Sequence, residues 1–238
     1  MRLLVLLMTV FSAVAVAAAD SAQIKRNIHD GLSRIAPDMT VDQVNPTPID
    51  GLYEVVLGAT VIYMTADGRY VLRGELLDLK NQSNLTQEVR ADMRQQTLAA
   101  LPKDKMIRFS NGKSDHVIYV FTDIDCGYCR KLHQDVPYLN EQGVAVRYLA
   151  YPRAGLESKT YKEMISVWCA DDRQAALTRA KQDKKVETRD CDNPVADQFE
   201  LGRKLGVNGT PAIYLENGQA LPGYVPPEQL LAILNGDR

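Results

Sequence analysis

Two cysteines two residues apart, Cys126 and Cys129, fall where the apolar run His116-Val117-Ile118-Tyr119-Val120-Phe121 gives way to a stretch of helix formers. A dithiol at the junction of a strand and a helix limits the folds open to the chain, because one element must end and the next begin within a few residues. The first sulfur then lies at a helix N-terminus, where unpaired N–H groups and the helix dipole favour a thiolate. A thiolate is the attacking species in disulfide exchange, so the position implies a chemistry as well as a shape.

The first nineteen residues set the compartment. Arg2 precedes a mainly apolar run from Leu3 to Val16, followed by Ala17-Ala18-Ala19 and Asp20. This is the pattern of a cleaved secretory signal peptide, with cleavage after Ala17 or Ala19. The competing reading is an uncleaved anchor, but the segment is shorter than the ~20 apolar residues a membrane span prefers. No cysteine follows the run to take a lipid. With 28 basic and 30 acidic residues the formal charge is −2, and neither a basic block for nucleic acid nor an acidic tail is present. The expectation is an exported, periplasmic protein with no stable membrane anchor. The four cysteines then face an oxidising medium, and they allow three pairings. Local spacing favours Cys126–Cys129 and leaves Cys169–Cys191 as the second pair.

Apolar spacing divides the chain. Ile24, Ile28, Leu32 and Ile35 recur at helical intervals. Leu52 to Leu57 and Ala59 to Met64 read as strands, Asp67-Gly68 as a hairpin turn, Arg69 to Leu72 as its return strand, and Glu75 to Leu79 as a further candidate. Residues 20–80 are therefore expected to form a small helix-plus-antiparallel-sheet domain. After the polar break Asn81-Gln82-Ser83-Asn84, Leu85, Val89 and Met93 mark a linker helix within 81–102, with Asn84 and Gln87 as a capping box, ending before Pro102.

Residues 103–238 carry every cysteine. The order there is strand His116–Phe121, dithiol, helix through Leu132, strand Val144–Leu149, a largely helical stretch Tyr161–Lys184, helix Pro194–Leu205, strand Ala212–Leu215 turned by Asn217-Gly218, and a final helix over Leu230–Leu234. That is a thioredoxin-like order with a helical insertion. The fold class expected is α+β followed by α/β.

A lone C-x-x-C is also half of a zinc ribbon. Tetrahedral zinc needs two more ligands, yet Cys169 and Cys191 are not closely spaced, and His29, His116 and His133 do not pair. No metal and no cofactor are expected. A purely structural bridge is the other competitor, but so short a loop at a helix start is reducible. Thr210-Pro211, preceded by Gly209 and followed by an apolar strand, has the form of a cis-proline loop facing the dithiol, which would offer the Thr210 backbone to an extended substrate. An ordinary trans proline at an edge strand is the alternative.

Taken together, Phe121-Thr122-Asp123-Ile124-Asp125-Cys126-Gly127-Tyr128-Cys129, Lys131-Leu132-His133, Tyr148-Leu149-Ala150-Tyr151-Pro152-Arg153, Gly209-Thr210-Pro211-Ala212 and Pro222-Gly223-Tyr224 closely resemble the DsbC/DsbG family of periplasmic thiol:disulfide interchange proteins. Gly127-Tyr128 within the dithiol is the form of the DsbC branch. The resemblance covers essentially the whole mature chain. It implies a V-shaped homodimer joined through residues 20–80, with Cys126 as nucleophile and Cys129 as resolving thiol. By the same analogy Gly127, Tyr128, Thr210 and Pro211 contact substrate, and Cys169–Cys191 is a structural disulfide. The implied activity is protein disulfide isomerisation and reduction through mixed disulfides with misfolded exported proteins, together with chaperone activity. Its electron donor would be a membrane thiol reductase of DsbD type. The rivals are a thiol oxidase that donates disulfides and a holdase with an incidental dithiol.

The chain departs from the pattern at two positions. Asp125 and Arg130 stand where the family's best-known member has a neutral residue and a histidine, and their charges act oppositely on the Cys126 thiolate. Val120 stands where thioredoxin has a buried acid, which removes that route for a proton relay. His133, two turns beyond Cys126, reads as a solvated or capping residue rather than a proton shuttle, and Trp168 as packing.

Overall fold

A computed structural model describes residues 20–58, 60–112 and 114–236; the expected signal segment 1–19 lies outside them. The chain divides into two compact units, Met1–Thr86 and Gln87–Arg238.

In the first unit a helix, α1, covers 20–33. It packs on a four-stranded antiparallel sheet, β1 (Gln43–Pro46), β2 (Leu52–Leu57), β3 (Thr60–Thr65) and β4 (Val71–Leu72), in that spatial order. Strand side chains alternate between faces, so Val55 and Leu57 of β2 and Ile62 and Met64 of β3 share one face, and there they meet Ile28 and Leu32 of α1. The return strand is shorter than expected. Asp67 accepts from the Thr65 hydroxyl and the Arg69 N–H, and the Tyr70 N–H bonds back to Thr65 Oγ1, so the turn absorbs Arg69 and Tyr70. β5 (Leu77–Asp78) does not join this sheet; it pairs with β6 (Ser83–Asn84). β1 is an addition to the sequence reading, hidden by its polar Gln43 and Asn45 and by Pro46, which an edge strand tolerates.

Helix α2 (Leu85–Ala99) leads into the second unit. Its five-stranded sheet runs β11 (Ala220–Leu221), β10 (Ala212–Leu215), β8 (His116–Thr122), β9 (Val144–Ala150), β7 (Ile107–Phe109). β8 and β9 are parallel, in register from His116↔Val144 to Thr122↔Ala150, and the other pairings are antiparallel. The alternation splits the interior into two cores. Ile118, Val120, Val146 and Tyr148 face α3 (Gly127–Glu141), α4 (Lys159–Trp168), α5 (Arg173–Lys181) and α7 (Pro227–Asn235). Val117, Tyr119, Phe121 and Leu149 face Leu98 of α2 and Phe199 and Leu201 of α6 (Val195–Lys204).

Several helices differ in extent from expectation. α3 continues to Glu141, nine residues past Leu132, and carries Pro137 on its exposed side. The stretch expected as largely helical from Tyr161 to Lys184 is two helices. The Asp172 carboxylate caps the second by accepting from the Ala175 N–H at 2.9 Å. β7, only three residues long, escaped the sequence reading. Trp168 is fully buried in the first of the two cores, and its indole N–H donates to the Lys105 carbonyl. A disulfide joins Cys169 to Cys191, closing the segment that contains α5.

Gly218 turns β10 into β11 at φ +77°, and a Cβ there would lie 1.8 Å from the Ala91 carbonyl oxygen of α2. Gly223 has a similar φ of +75° but open space around it. Gly218→Ala should therefore cost more than about 2 kcal/mol in urea unfolding and Gly223→Ala about 1 kcal/mol, the conformational cost alone. Equal losses would show that α2 does not seat against this turn.

Candidate active site

The end of β8 and the start of α3 hold the dithiol, as the sequence order requires. Asp123 shapes the turn between them. Its Oδ1 accepts from the Asp125 N–H at 2.7 Å, and its backbone carbonyl accepts from the Cys126 N–H. Cys126 occupies the N-cap position of α3, and Gly127 opens the helix. Both thiols are free and buried, Cys129 completely so at 0 % exposure.

Thr210–Pro211 is a cis peptide directly opposite. The Thr210 carbonyl oxygen lies 3.1 Å from the Cys126 Sγ. A cleft of about 380 Å³ runs from Gly206 to Gly223 and includes Thr210, Pro211, Ile213 and Tyr214. Tyr128, exposed between the two cysteines, stacks on Tyr224, whose hydroxyl donates to the Asp135 carboxylate at 2.9 Å.

The two sulfurs are electrostatically unequal. Cys126 is lowered to about 5, first by the hydrogen bond from the Cys129 thiol, against the opposing cost of burial, then by the nearby Thr210 side chain, the Cys129 backbone N–H and the charge of Arg153. Cys129 is raised far above the ordinary thiol range by burial, and further because its proton is held by the Cys126 sulfur. One proton is thus kept on the inner sulfur while the outer one is ionised at neutral pH.

The charges flanking the dithiol do not act as the sequence reading framed them. Asp125 is engaged by the Thr160 hydroxyl and by Arg130 Nη2 at 3.5 Å; Arg130 also pairs with Asp183 at 2.6 Å and donates to the Ile124 carbonyl. The cation that lowers Cys126 is Arg153. Its guanidinium and backbone N–H are held by Asp123 Oδ2 at 3.1 and 2.9 Å. Arg153 was legible only as part of the Tyr151-Pro152-Arg153 motif, with no role attached.

His133 corrects the sequence reading. It is neither solvated nor a cap: Nδ1 lies 3.2 Å from the Tyr148 hydroxyl, Nε2 lies 3.0 Å from Thr178 Oγ1, and Phe109 stacks edge-on. Burial and the neighbouring Lys181 charge lower it to about 4, so it is neutral at pH 7. The cause is helical phase: position 133 falls on the buried stripe of α3 with Cys129, Leu132 and Val136, the face toward β9 and α5.

Lys181 was also missed. Ala176, Leu177, Ala180 and Lys181 fall at i, i+1, i+4 and i+5, a single helical face, and all four are buried. A lysine in that stripe was the available signal. Its Nζ donates to the Thr122 hydroxyl at 2.7 Å, beneath Cys129.

Comparison with known proteins places the chain. A family model described as a thioredoxin-like domain matches residues 103–236, and one described as the N-terminal domain of disulfide bond isomerase proteins matches 15–87. The chain is 40% identical over 230 residues to the thiol:disulfide interchange protein DsbC of Salmonella typhimurium, covering 97% of this chain and 92% of that one. It is 41% identical over 192 residues to the DsbC of Escherichia coli K12, covering 81% of this chain and 80% of that one. A crystal structure of a disulfide interchange protein from Neisseria gonorrhoeae superimposes with a TM-score of 0.52 at 32% identity, covering 58% of this chain and 98% of that one. Fold and dithiol together define a thiol–disulfide oxidoreductase of thioredoxin type. The chain belongs to the DsbC family of thiol:disulfide interchange proteins, and it is an enzyme of disulfide isomerisation.

Alkylation of the reduced protein by iodoacetamide should rise with pH to a plateau, with a midpoint near 5 for Cys126. Arg153→Met should raise that midpoint by about half a pH unit or more. An unfolded cysteine titrates near about 8.5, so the depressed value stabilises the reduced folded state. That contribution is complete above the unfolded value and is lost as pH falls through about 5. An alkylation midpoint near the unfolded value would remove the account of the site.

Proposed function

We propose that Cys126 attacks a non-native disulfide in an exported protein, forming a mixed disulfide and releasing one substrate thiolate. That thiolate then attacks a different sulfur to leave a rearranged bond, or Cys129 attacks Cys126 and the substrate departs reduced. The observation that carries this reading is the opposite displacement of the two thiols. An ionised, hydrogen-bonded outer sulfur is an efficient nucleophile and leaving group, and a protonated inner one does not compete for the substrate.

Gly127, Tyr128, Thr210 and Pro211 are the proposed substrate contacts. The cleft beside Thr210 supports an extended chain pairing with its backbone, and the exposed, stacked Tyr128 supports an aromatic contact next to the attacked bond. Cys169–Cys191 has the structural role, tethering α5 against the rest of the second unit.

The wider arrangement is proposed on the same footing. Residues 1–19 are removed on export to the periplasm, 20–80 dimerise, 81–102 link and 103–238 catalyse. Two dithiols in one homodimer would share a cleft for misfolded, disulfide-containing chains and give chaperone activity alongside isomerisation. A membrane thiol reductase of DsbD type would keep the dithiol reduced. Among the described residues no helix is long and apolar enough to cross a membrane.

Refolding of scrambled ribonuclease tests the assignment. Cys126→Ala is expected to lose at least about 100-fold in reactivation rate, and Cys129→Ser to accumulate mixed disulfides on non-reducing gels. Reactivation by Cys126→Ala at the wild-type rate would refute the role of Cys126.

A further inference from the structure

Cys129 presents a difficulty that the dithiol does not solve by itself. To resolve a mixed disulfide its sulfur must lose a proton, yet burial holds that proton tightly, and Val120 supplies no acid behind it. The residue that does lie behind it is Lys181, 4 % exposed and without a salt bridge to any carboxylate among the described residues. Its Nζ is bonded to Thr122 Oγ1 at 2.7 Å, and the Thr122 side chain neighbours the Cys129 sulfur, whose ionisation it eases. Sulfur, hydroxyl and amine lie in succession from the dithiol toward a cleft of about 520 Å³, lined by Arg130, His133, Thr178, Lys181 and Gln182, through which water can exchange protons.

We propose that Lys181, acting through the Thr122 hydroxyl, takes the proton from Cys129 as Cys129 attacks the mixed disulfide on Cys126. This rests on the nucleophile and resolving roles given to the two cysteines above. In the step the Cys129 thiol gives its proton to Thr122 Oγ1 while the Thr122 O–H gives its own to the neutral Lys181 amine. The Cys129–Cys126 bond forms, the bond from Cys126 to the substrate sulfur breaks, and the substrate leaves as a thiolate with the two electrons. The ammonium returns its proton to water in the cleft.

The surroundings of Lys181 favour this timing. Burial lowers it to about 8, so about a tenth of it is the free amine at pH 7. Cys129, Cys126 and Asp123 act to keep it protonated, Arg130 acts to deprotonate it, His133 packs nearby as a neutral ring, and the Tyr148 ring lies 5.4 Å from Nζ. When Cys126 enters a mixed disulfide its negative charge disappears. One of the charges holding the Lys181 proton is then gone, and the amine becomes a base once a substrate is attached.

The reagent dithiobis(nitrobenzoate) separates the steps in stopped flow, since the reduced enzyme releases one coloured thiolate on attack by Cys126 and a second on resolution by Cys129. Lys181→Met and Thr122→Val are expected to slow the second release relative to the first by about 10- to 100-fold, and to move its pH dependence upward. Thr122→Ser should restore it. Lys181→Arg keeps the charge but cannot accept a proton, and should remain slow. Should Lys181→Met fail to fold, judged by circular dichroism, the Thr122→Val and Thr122→Ser pair carries the test. A second release at the wild-type rate and pH dependence in Lys181→Met or Thr122→Val, or its recovery in Lys181→Arg, would overturn the relay. Loss of the first release in the wild-type protein would instead overturn the role of Cys126.

Discussion

One proton held between two sulfurs organises this structure. Cys126 is a thiolate because Cys129 is not, and Cys129 keeps its proton because it lies in the interior, out of reach of water. Each neighbour supports that inequality. Asp123 fixes the turn and holds Arg153 near the outer sulfur, the Thr210 loop lies opposite the same sulfur, and Thr122 and Lys181 lie beneath the inner one. The sheet matters to the chemistry because it fixes these distances. β8 delivers Thr122 and the turn, β9 places Tyr148 below α3, and β10 follows directly from the Thr210–Pro211 loop.

Much of this was legible from residue order. The continuous apolar run of β8, the dithiol after it and Gly209-Thr210-Pro211 before another apolar strand suffice for the thioredoxin-like topology, because each motif depends only on neighbours in the chain. β1 and β7 were not legible. They are short edge strands whose pairing partners, β2 and β9, supply the stability that their own composition lacks. His133 and Lys181 were misread or missed for a related reason. A polar side chain inside a core cannot be told from one on the surface until the facing elements are known, and here those elements are β9 and α5 for His133, and β8 for Lys181.

The departures at 125 and 130 teach a similar lesson. Read along the chain, an aspartate before the first cysteine and an arginine after the second act directly on the dithiol. In three dimensions Arg130 turns to Asp183 on the α5 side and Asp125 to Thr160 at the start of α4. These charges fasten the helical insertion to the start of α3, and the electrostatic work passes to Arg153, distant in sequence. Adjacency in sequence overstated one influence and concealed another.

The Cys169–Cys191 bridge encloses α5, the helix that supplies Lys181, Thr178 and the neighbouring Asp183 to the active-site side of the fold. A newly made copy in which either sulfur has found the wrong partner would have this helix unmoored, with the environment of its inner cysteine incomplete. On the structural role proposed for this bridge, the repair enzyme is thus itself a client for correct oxidation.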